Sequence, residues 1–216
     1  KWCNDRLLFS LVPAERLQRI CRRLFDEQEF LSPYGIRALS KVYGEHPYTI
    51  HDGDQPQTLA YSPGDSPVAM FGGNSNWRGP VWMPINVLLI ESLQKFGHYY
   101  GDSLLVEFPT GSGQWFTLWE VSLLLEQRLA NLFRRDRQGR RPFQGQVERF
   151  QSDPHWCDYL LFHEYFHGDD GRGLGASHQT GWTAMVGKLI QQLHRYPQPT
   201  PRPAPPAMGT PATTPL

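Results

Sequence analysis

The sequence predicts an all-α chain whose helices form a scaffold and whose long loops carry a site. Three observations lead there. Four segments show the apolar spacing of amphipathic helices. No alternating run of strand length comes with a hairpin turn strong enough to define a sheet. The connections, about 28–83, 134–158 and 168–178, are long and rich in Gly, Pro, Asp, His, Trp and Tyr. Loops of that length in a compact domain are usually functional or disordered, and this aromatic content argues against disorder.

The first helix opens at Pro13, a residue suited to a first helical position, and sets Leu17, Ile20, Cys21, Leu24 and Phe25 on one stripe. The second runs from about Pro84 to Tyr100, where Gly101 is placed to end it. Its Ile85, Val87, Leu88, Leu89, Ile90, Leu93 and Phe96 cover most of the circumference, which predicts burial on nearly all sides. The third begins with the capping box Thr117-Leu118-Trp119-Glu120 and continues through Val121, Leu124, Leu125, Leu129, Leu132 and Phe133. The fourth occupies about Gln179 to Arg195, with Trp182, Met185, Val186, Leu189, Ile190 and Leu193 on its apolar face. It stops because Pro197 disfavours helix at Tyr196.

Composition narrows the partners. The 216 residues carry 21 Lys+Arg against 21 Asp+Glu, so no global field attracts nucleic acid or an anionic membrane. No apolar stretch reaches the roughly 18 residues of a membrane span, and Lys1-Trp2-Cys3-Asn4-Asp5 carries no signal-peptide pattern. Cys3, Cys21 and Cys157 are odd in number and widely spaced, which fits neither a disulfide framework nor a CxxC zinc site. Reduced thiols and a cytoplasmic location are the expectation. The absence of an initiator Met suggests a piece of a longer protein, its N-terminal portion missing. Eight of the 19 prolines fall in residues 197–216, which read as an extended, disordered tail following a folded domain over residues 1–196. Pro199, Pro201, Pro203, Pro205 and Pro206 also offer a PxxP ligand for an SH3-like groove.

Three segments have the residue types for chemistry. In Phe71-Gly-Gly-Asn-Ser-Asn-Trp-Arg-Gly-Pro-Val-Trp82, two indoles and an arginine suit the C–H face and the hydroxyls of a sugar ring. Trp77 and Trp82 serve equally well as core anchors. His163-Glu-Tyr-Phe-His167 matches the HExxH zinc-peptidase pattern, which needs a helix through both histidines and a third ligand downstream. Gly168-Asp-Asp-Gly follows at once and breaks a helix, Asp170 and Gly173 stand where the extended motif has Gly and His, and no Glu occurs after Glu164. No metal and no cofactor is expected. The block Gly168 to Trp182 is not the dinucleotide fingerprint, since the glycine spacing differs and no strand precedes it. It concentrates polar groups before a buried helix, as a ligand site at a helix N-terminus would. Asp52-Gly-Asp54 lacks the remainder of a calcium loop and reads as a solvated turn.

Together, Asn74-Ser-Asn-Trp-Arg-Gly-Pro-Val-Trp82 and Glu164-Tyr-Phe-His-Gly-Asp…Gly-Ala-Ser-His-Gln-Thr-Gly-Trp182 resemble the C-terminal half of glycoside hydrolase family 63. That is the family of processing α-glucosidase I (mannosyl-oligosaccharide glucosidase) and its bacterial relatives. Phe30-Leu-Ser-Pro-Tyr-Gly-Ile-Arg37 and Phe108-Pro-Thr-Gly-Ser-Gly113 resemble the bacterial branch, and the match spans roughly residues 5–195. The resemblance implies part of an (α/α)6 barrel and inverting hydrolysis of an α-glucoside or oligosaccharide. It places Glu164 as general base, with Trp77, Arg78, Trp82, Gln179, Trp182 and His167 around the substrate. His163 and His167 either orient groups about the base or are packed side chains. The family's general acid is an Asp in an upstream motif that this sequence does not match, and Asp5, Asp169 and Asp170 read as turn residues. The chain alone is therefore expected to be inactive without the N-terminal portion of its parent. A non-catalytic sugar-binding module is the alternative, with a zinc peptidase behind it.

Overall fold

The computed structural model describes residues 2, 3, 6–52, 55–65 and 77–205. Asp5, the turn at Gly53-Asp54 and the run Phe71–Asn76, all candidates on sequence grounds, lie outside the described residues.

The chain begins with the strand pair β1 (Trp2–Cys3) and β2 (Arg6–Leu7) and enters α1 (Ala14–Leu24). Hairpin β3 (Leu31–Ser32) and β4 (Gly35–Ile36) follows, then β5 (Tyr48–Asp52) and β6 (Gln55–Leu59). The long α2 (Met83–Tyr100) leads through β7 (Leu105–Glu107) and β8 (Trp115–Thr117) directly into α3 (Leu118–Asn131). After α4 (Glu148–Ser152), strands β9 (Tyr165–Phe166) and β10 (Gly173–Leu174) precede α5 (Thr180–Thr183) and α6 (Val186–Arg195). Five two-stranded antiparallel pairs correct the all-α expectation: the described fold mixes helices with small sheets. Strands of two to five residues are too short for a period-two pattern to register in the sequence.

Each predicted helix is present, with local departures. Pro13 is the cap preceding α1, at φ −69° and ψ 161°, and α1 buries Leu17 and Cys21 while Ile20 stays exposed. Cys21 and Cys157 are free thiols, and burial pushes the Cys21 thiol up to about 12. The α3 capping box is formed: Thr117 Oγ1 accepts from the Glu120 N–H, and the Glu120 carboxylate accepts from the Thr117 N–H at 2.8 Å. The fourth predicted helix is two. Around Met185 the backbone bonds span three residues, Gly187 N–H to Ala184 and Lys188 N–H to Met185, so the helix tightens and restarts. It ends at Arg195, with Tyr196 extended before Pro197.

The core is built where α2 crosses α3 and α3 meets α6. Gly97 is required at the first crossing, because a Cβ there would lie 2.6 Å from the Trp119 backbone nitrogen. The expectation that α2 is buried on nearly all sides fails on one face. Asn86, Val87, Ile90 and Leu93 are buried, but Leu88 is 60% and Ile85 40% exposed. Helix α3, the β3–β4 hairpin and α5 occupy only one side of α2 among the described residues. No described helix is long and apolar enough to cross a membrane.

Residues 197–205, expected from composition to be a disordered tail, are described as an extended segment held at Arg202, which exchanges backbone hydrogen bonds with Trp115. Residues 206–216 lie outside the described residues.

One polar group in the helical core has a thermodynamic consequence. Glu126 of α3 is fully buried, takes one hydrogen bond from Gln94 Nε2 at 2.9 Å, and leaves Oε2 without a partner among the described residues. Burial pushes its carboxyl up to about 7, only partly offset by the Lys188 charge and the Gln94 amide. The folded state therefore holds a proton that the unfolded chain releases near 4.5. Stability from this group is complete below that value and is lost as pH rises through about 7. Denaturant unfolding between pH 5 and pH 8 is expected to show a decline on the order of 3 kcal/mol that Glu126→Gln removes.

Candidate active site

Glu164 sits at the entrance to β9, and its backbone is bonded on both sides. Its N–H donates to Ala176 O at 2.8 Å and its carbonyl accepts from Trp182 Nε1 at 3.2 Å. One residue earlier, the His163 carbonyl accepts from Thr183 Oγ1 at 2.6 Å. Two side chains of the single-turn α5 thus satisfy consecutive carbonyls around Glu164. The carboxylate itself is half-buried, with Oε2 3.3 Å from the Ala176 N–H. Gly175 makes this possible: its φ is +67°, and a Cβ there would lie 2.6 Å from Glu164 Oε2.

The same Gly175 Cβ position would lie 2.8 Å from Tyr165 Cε1, so the carboxylate neighbours Tyr165, one member of an aromatic pile. Trp77 stacks on Trp82 at 4.2 Å with planes 5° apart, and Trp82 stacks on Tyr165 at 4.8 Å. Trp182 closes edge-on against Trp82 at 5.7 Å. The two indoles look alike in the sequence but have different environments. Trp82 is 5% exposed, with its ring taken up by neighbours, whereas Trp77 is 51% exposed and presents a free surface. Tyr165, which stands in both quoted motifs but receives no role from them, joins the pile to that carboxylate and bonds Asp65 through its hydroxyl.

Arg78 is 3% exposed, and its Nε and Nη2 have no hydrogen-bond partner among the described residues. Gln179 contributes its backbone, donating to Phe162 O at 2.7 Å and preceding α5. The expected ligand site at a long helix N-terminus is not formed there, because α5 is four residues long. The HExxH segment has strand at its centre and no helix, so its two histidines do not share a helix face. His163 lies across Gly173, where a Cβ would be 2.1 Å from its ring, and packs near Phe143 and Phe166. Burial holds it below its ordinary value, partly opposed by a hydrogen bond to the Leu174 backbone. His167 turns elsewhere: Nδ1 is 3.2 Å from Asp170 Oδ1 and 3.3 Å from the Asp169 and Asp170 N–H groups. Burial likewise depresses it, against the pull of Asp170. Among the described residues no group of three or more His, Cys, Asp or Glu could hold a metal.

Asp169, expected to be a turn residue, does more. Its Oδ1 accepts from the buried Arg37 at 3.1 Å and from Tyr61 Oη at 3.0 Å, and Arg37 Nε reaches the same phenol oxygen at 3.1 Å. Lys41 adds a cation 3.7 Å away. Burial drives the Tyr61 hydroxyl well above its ordinary range, with Arg37 opposing and Asp169 adding to the rise. Ser32 Oγ donates to Gly168 O at 2.6 Å, and the Gly168 N–H reaches Pro63 O at 2.8 Å. The turn after β9 is therefore fastened to two distant loops, and no sequence pattern marks these pairings.

A half-buried carboxylate on a hairpin, next to a tyrosine that belongs to an aromatic pile, combines residue types that suit a sugar ring and its hydroxyls. The chain belongs to the Mannosylglycerate hydrolase MGH1-like glycoside hydrolase domain family, whose model matches residues 6–183. It is 51% identical over 195 residues to the Saccharomyces cerevisiae protein YMR196W, covering 89% of this chain and 18% of that protein. It is also 24% identical over 184 residues to the mannosyl-oligosaccharide glucosidase of the same yeast, covering 84% of this chain and 16% of the enzyme. A probable mannosyl-oligosaccharide glucosidase of Schizosaccharomyces pombe is 24% identical over 189 residues, 86% of this chain and 17% of that protein. The chain thus spans less than a fifth of these relatives' length.

Replacing Asp169 by Ala strips Arg37 of its carboxylate and Tyr61 of its acceptor. Because Asp169 is itself about one third exposed, the expected loss is about 1–3 kcal/mol, read as a lower urea midpoint at unchanged slope.

Proposed function

We propose that this domain forms part of an inverting glycosidase of the α-glucosidase type, acting on an α-glucoside or oligosaccharide. The observation that carries the reading concerns Glu164: both backbone groups are bonded, and its carboxylate shares the space over Gly175 with the ring of Tyr165, which stacks on Trp82 and through it on Trp77. In this reading ionised Glu164 takes a proton from a water attacking the anomeric carbon. A protonated carboxyl about 6.5–9.5 Å away gives its proton to the leaving oxygen. Trp77 offers its exposed face to the C–H surface of the sugar. Buried Arg78, whose Nε and Nη2 have no partner among the described residues, suits an acceptor on the substrate, and Trp182 and Gln179 frame the hairpin.

The likeness to mannosyl-oligosaccharide glucosidases supports a glucoside, and the (α/α)6 arrangement is adopted with it. The acid is assigned to a region of the parent protein outside this chain, so the chain alone is inactive. The name of the matched family, together with the two Arg78 nitrogens that lack a partner among the described residues, favours including mannosylglycerate, which carries an anionic group, among the substrates tried. No metal takes part, and the working location is cytoplasmic.

In the full-length protein, Glu164→Gln is expected to lower glucoside turnover by about 10²–10⁴-fold while leaving folding and sugar binding intact, because the amide keeps the shape but accepts no proton. A variant with more than half of parental turnover rejects the assignment. Sugar binding without turnover in the parent protein identifies a binding module instead. Turnover is also expected to be unaffected by EDTA; loss on chelation and recovery with zinc would restore the metallopeptidase-like reading.

A further inference from the structure

The segment after α6 contains proline at every second position from Pro197 to Pro205, with Gln198, Thr200, Arg202 and Ala204 between. In an extended chain, residues two apart point their backbone groups to the same side. The N–H groups therefore all lie along one edge, and the other edge consists of prolines that cannot donate. Such a segment can add to a strand on one side only, and it blocks further addition on the other.

The structure shows where it adds. Arg202 N–H donates to Trp115 O at 2.9 Å, and Trp115 N–H donates to Arg202 O at 3.3 Å, on the edge of β8 away from β7. The side chain then selects the register. The Arg202 guanidinium bonds the Glu120 carboxylate through Nη1 and lies 3.3 Å from Asp102 Oδ1 through Nη2. Glu120 is the α3 capping-box residue, and Asp102 belongs to the turn that ends α2. Burial works against the Glu120 carboxylate, but the bonds from Arg202 and Thr117 outweigh it and hold its carboxyl below the usual range. Gln198, Thr200 and Ala204 carry no charge, so no other register places a cation between the two carboxylates. At its near end the segment is anchored by Tyr196, edge-on to Trp119 at 5.3 Å. A hollow of about 600 Å³ is lined jointly by residues 197–202 and by Trp119, Glu120 and Leu123.

We propose that the notch formed by Trp115, Glu120 and Asp102 is a recognition site for an arginine flanked by prolines in an extended peptide, and that its occupant is this chain's own Pro201-Arg202-Pro203. The segment is thus a strap across the starts of α3 and β8 and the end of α2. Being covalently tethered, it holds the notch at the high effective concentration of a short linker, so a free peptide competes poorly while the strap is in place.

The test uses the full chain and does not depend on any glycosidase activity. In Arg202→Ala, hydrogen exchange at the Trp115 amide is expected to quicken about tenfold, while amides in the middle of α3 such as Leu125 and Leu129 keep their protection. Adding a synthetic peptide of the sequence Pro199–Pro205 to that variant is expected to restore Trp115 protection, and the same peptide with Ala for Arg is not. Arg202→Lys is expected to fall between, since an ammonium cannot engage both carboxylates in the planar geometry of a guanidinium. Unchanged Trp115 exchange in Arg202→Ala overturns the strap. Faster exchange that the arginine peptide does not reverse, or that the alanine peptide reverses equally, overturns the recognition site. If the α3 amides also lose protection, the peptide arm decides by the same two outcomes.

Discussion

The site depends on the backbone of one buried residue, Val81. Its N–H donates to Phe166 O at 2.8 Å and its carbonyl accepts from the Phe166 N–H at 2.9 Å, while it also pairs across the other edge with Arg37. Three segments about forty to eighty residues apart in sequence thus meet at one three-stranded crossing. Glu164 is two residues from Phe166, Trp82 is next to Val81, and Arg37 reaches from the third segment to Asp169. Because a backbone pair fixes both register and facing, this crossing decides which side chains stand beside the carboxylate.

Buried polar groups then lock what the crossing arranges. Asn86 on α2 accepts from the Ile36 N–H at 2.7 Å and donates to Ile36 O at 3.0 Å and Trp82 O at 2.9 Å. Its amide acts as a strand neighbour for β4, tying the hairpin that ends at Ile36 to the helix that starts after Trp82. Glycine supplies the close approaches: at Gly79 a Cβ would lie 2.5 Å from Tyr61 Cε2, and at Gly168 one would lie 2.5 Å from Gly79 O. Satisfied polar networks of this kind rigidify a core because each member, left alone, carries a large desolvation penalty.

The sequence disclosed the helices because their signals are local. The capping box at Thr117, the apolar spacing of α3 and the stop before Pro197 all act within a few residues. The side of α2 that faces solvent was not legible, since apolar spacing alone cannot say which neighbours arrive; Ile90 is buried and Leu88 is not. The β3–β4 and β9–β10 pairs were invisible for the same reason, being held by Asn86, Arg37 and Val81 from outside their own strands. Within the site, the residue types in the two motifs pointed to Glu164 and the tryptophans. The division of labour between Trp77 and Trp82, the stacking of Tyr165 and the fastening by Asp169 are matters of distance that no motif encodes. A proline-rich end looks disordered by composition, and only the edge of β8 and the two carboxylates give Arg202 its place.

The near-parallel pair Trp77 and Trp82 has an optical consequence. Two indoles whose centroids are 4.2 Å apart share their electronic excitations. Their near-ultraviolet circular dichroism depends on the angle between the rings, not on either ring alone. Trp77, on the solvent side, is the ring of the pair with more room to tilt. A change in the angle between these two rings is therefore visible without a label and without turnover.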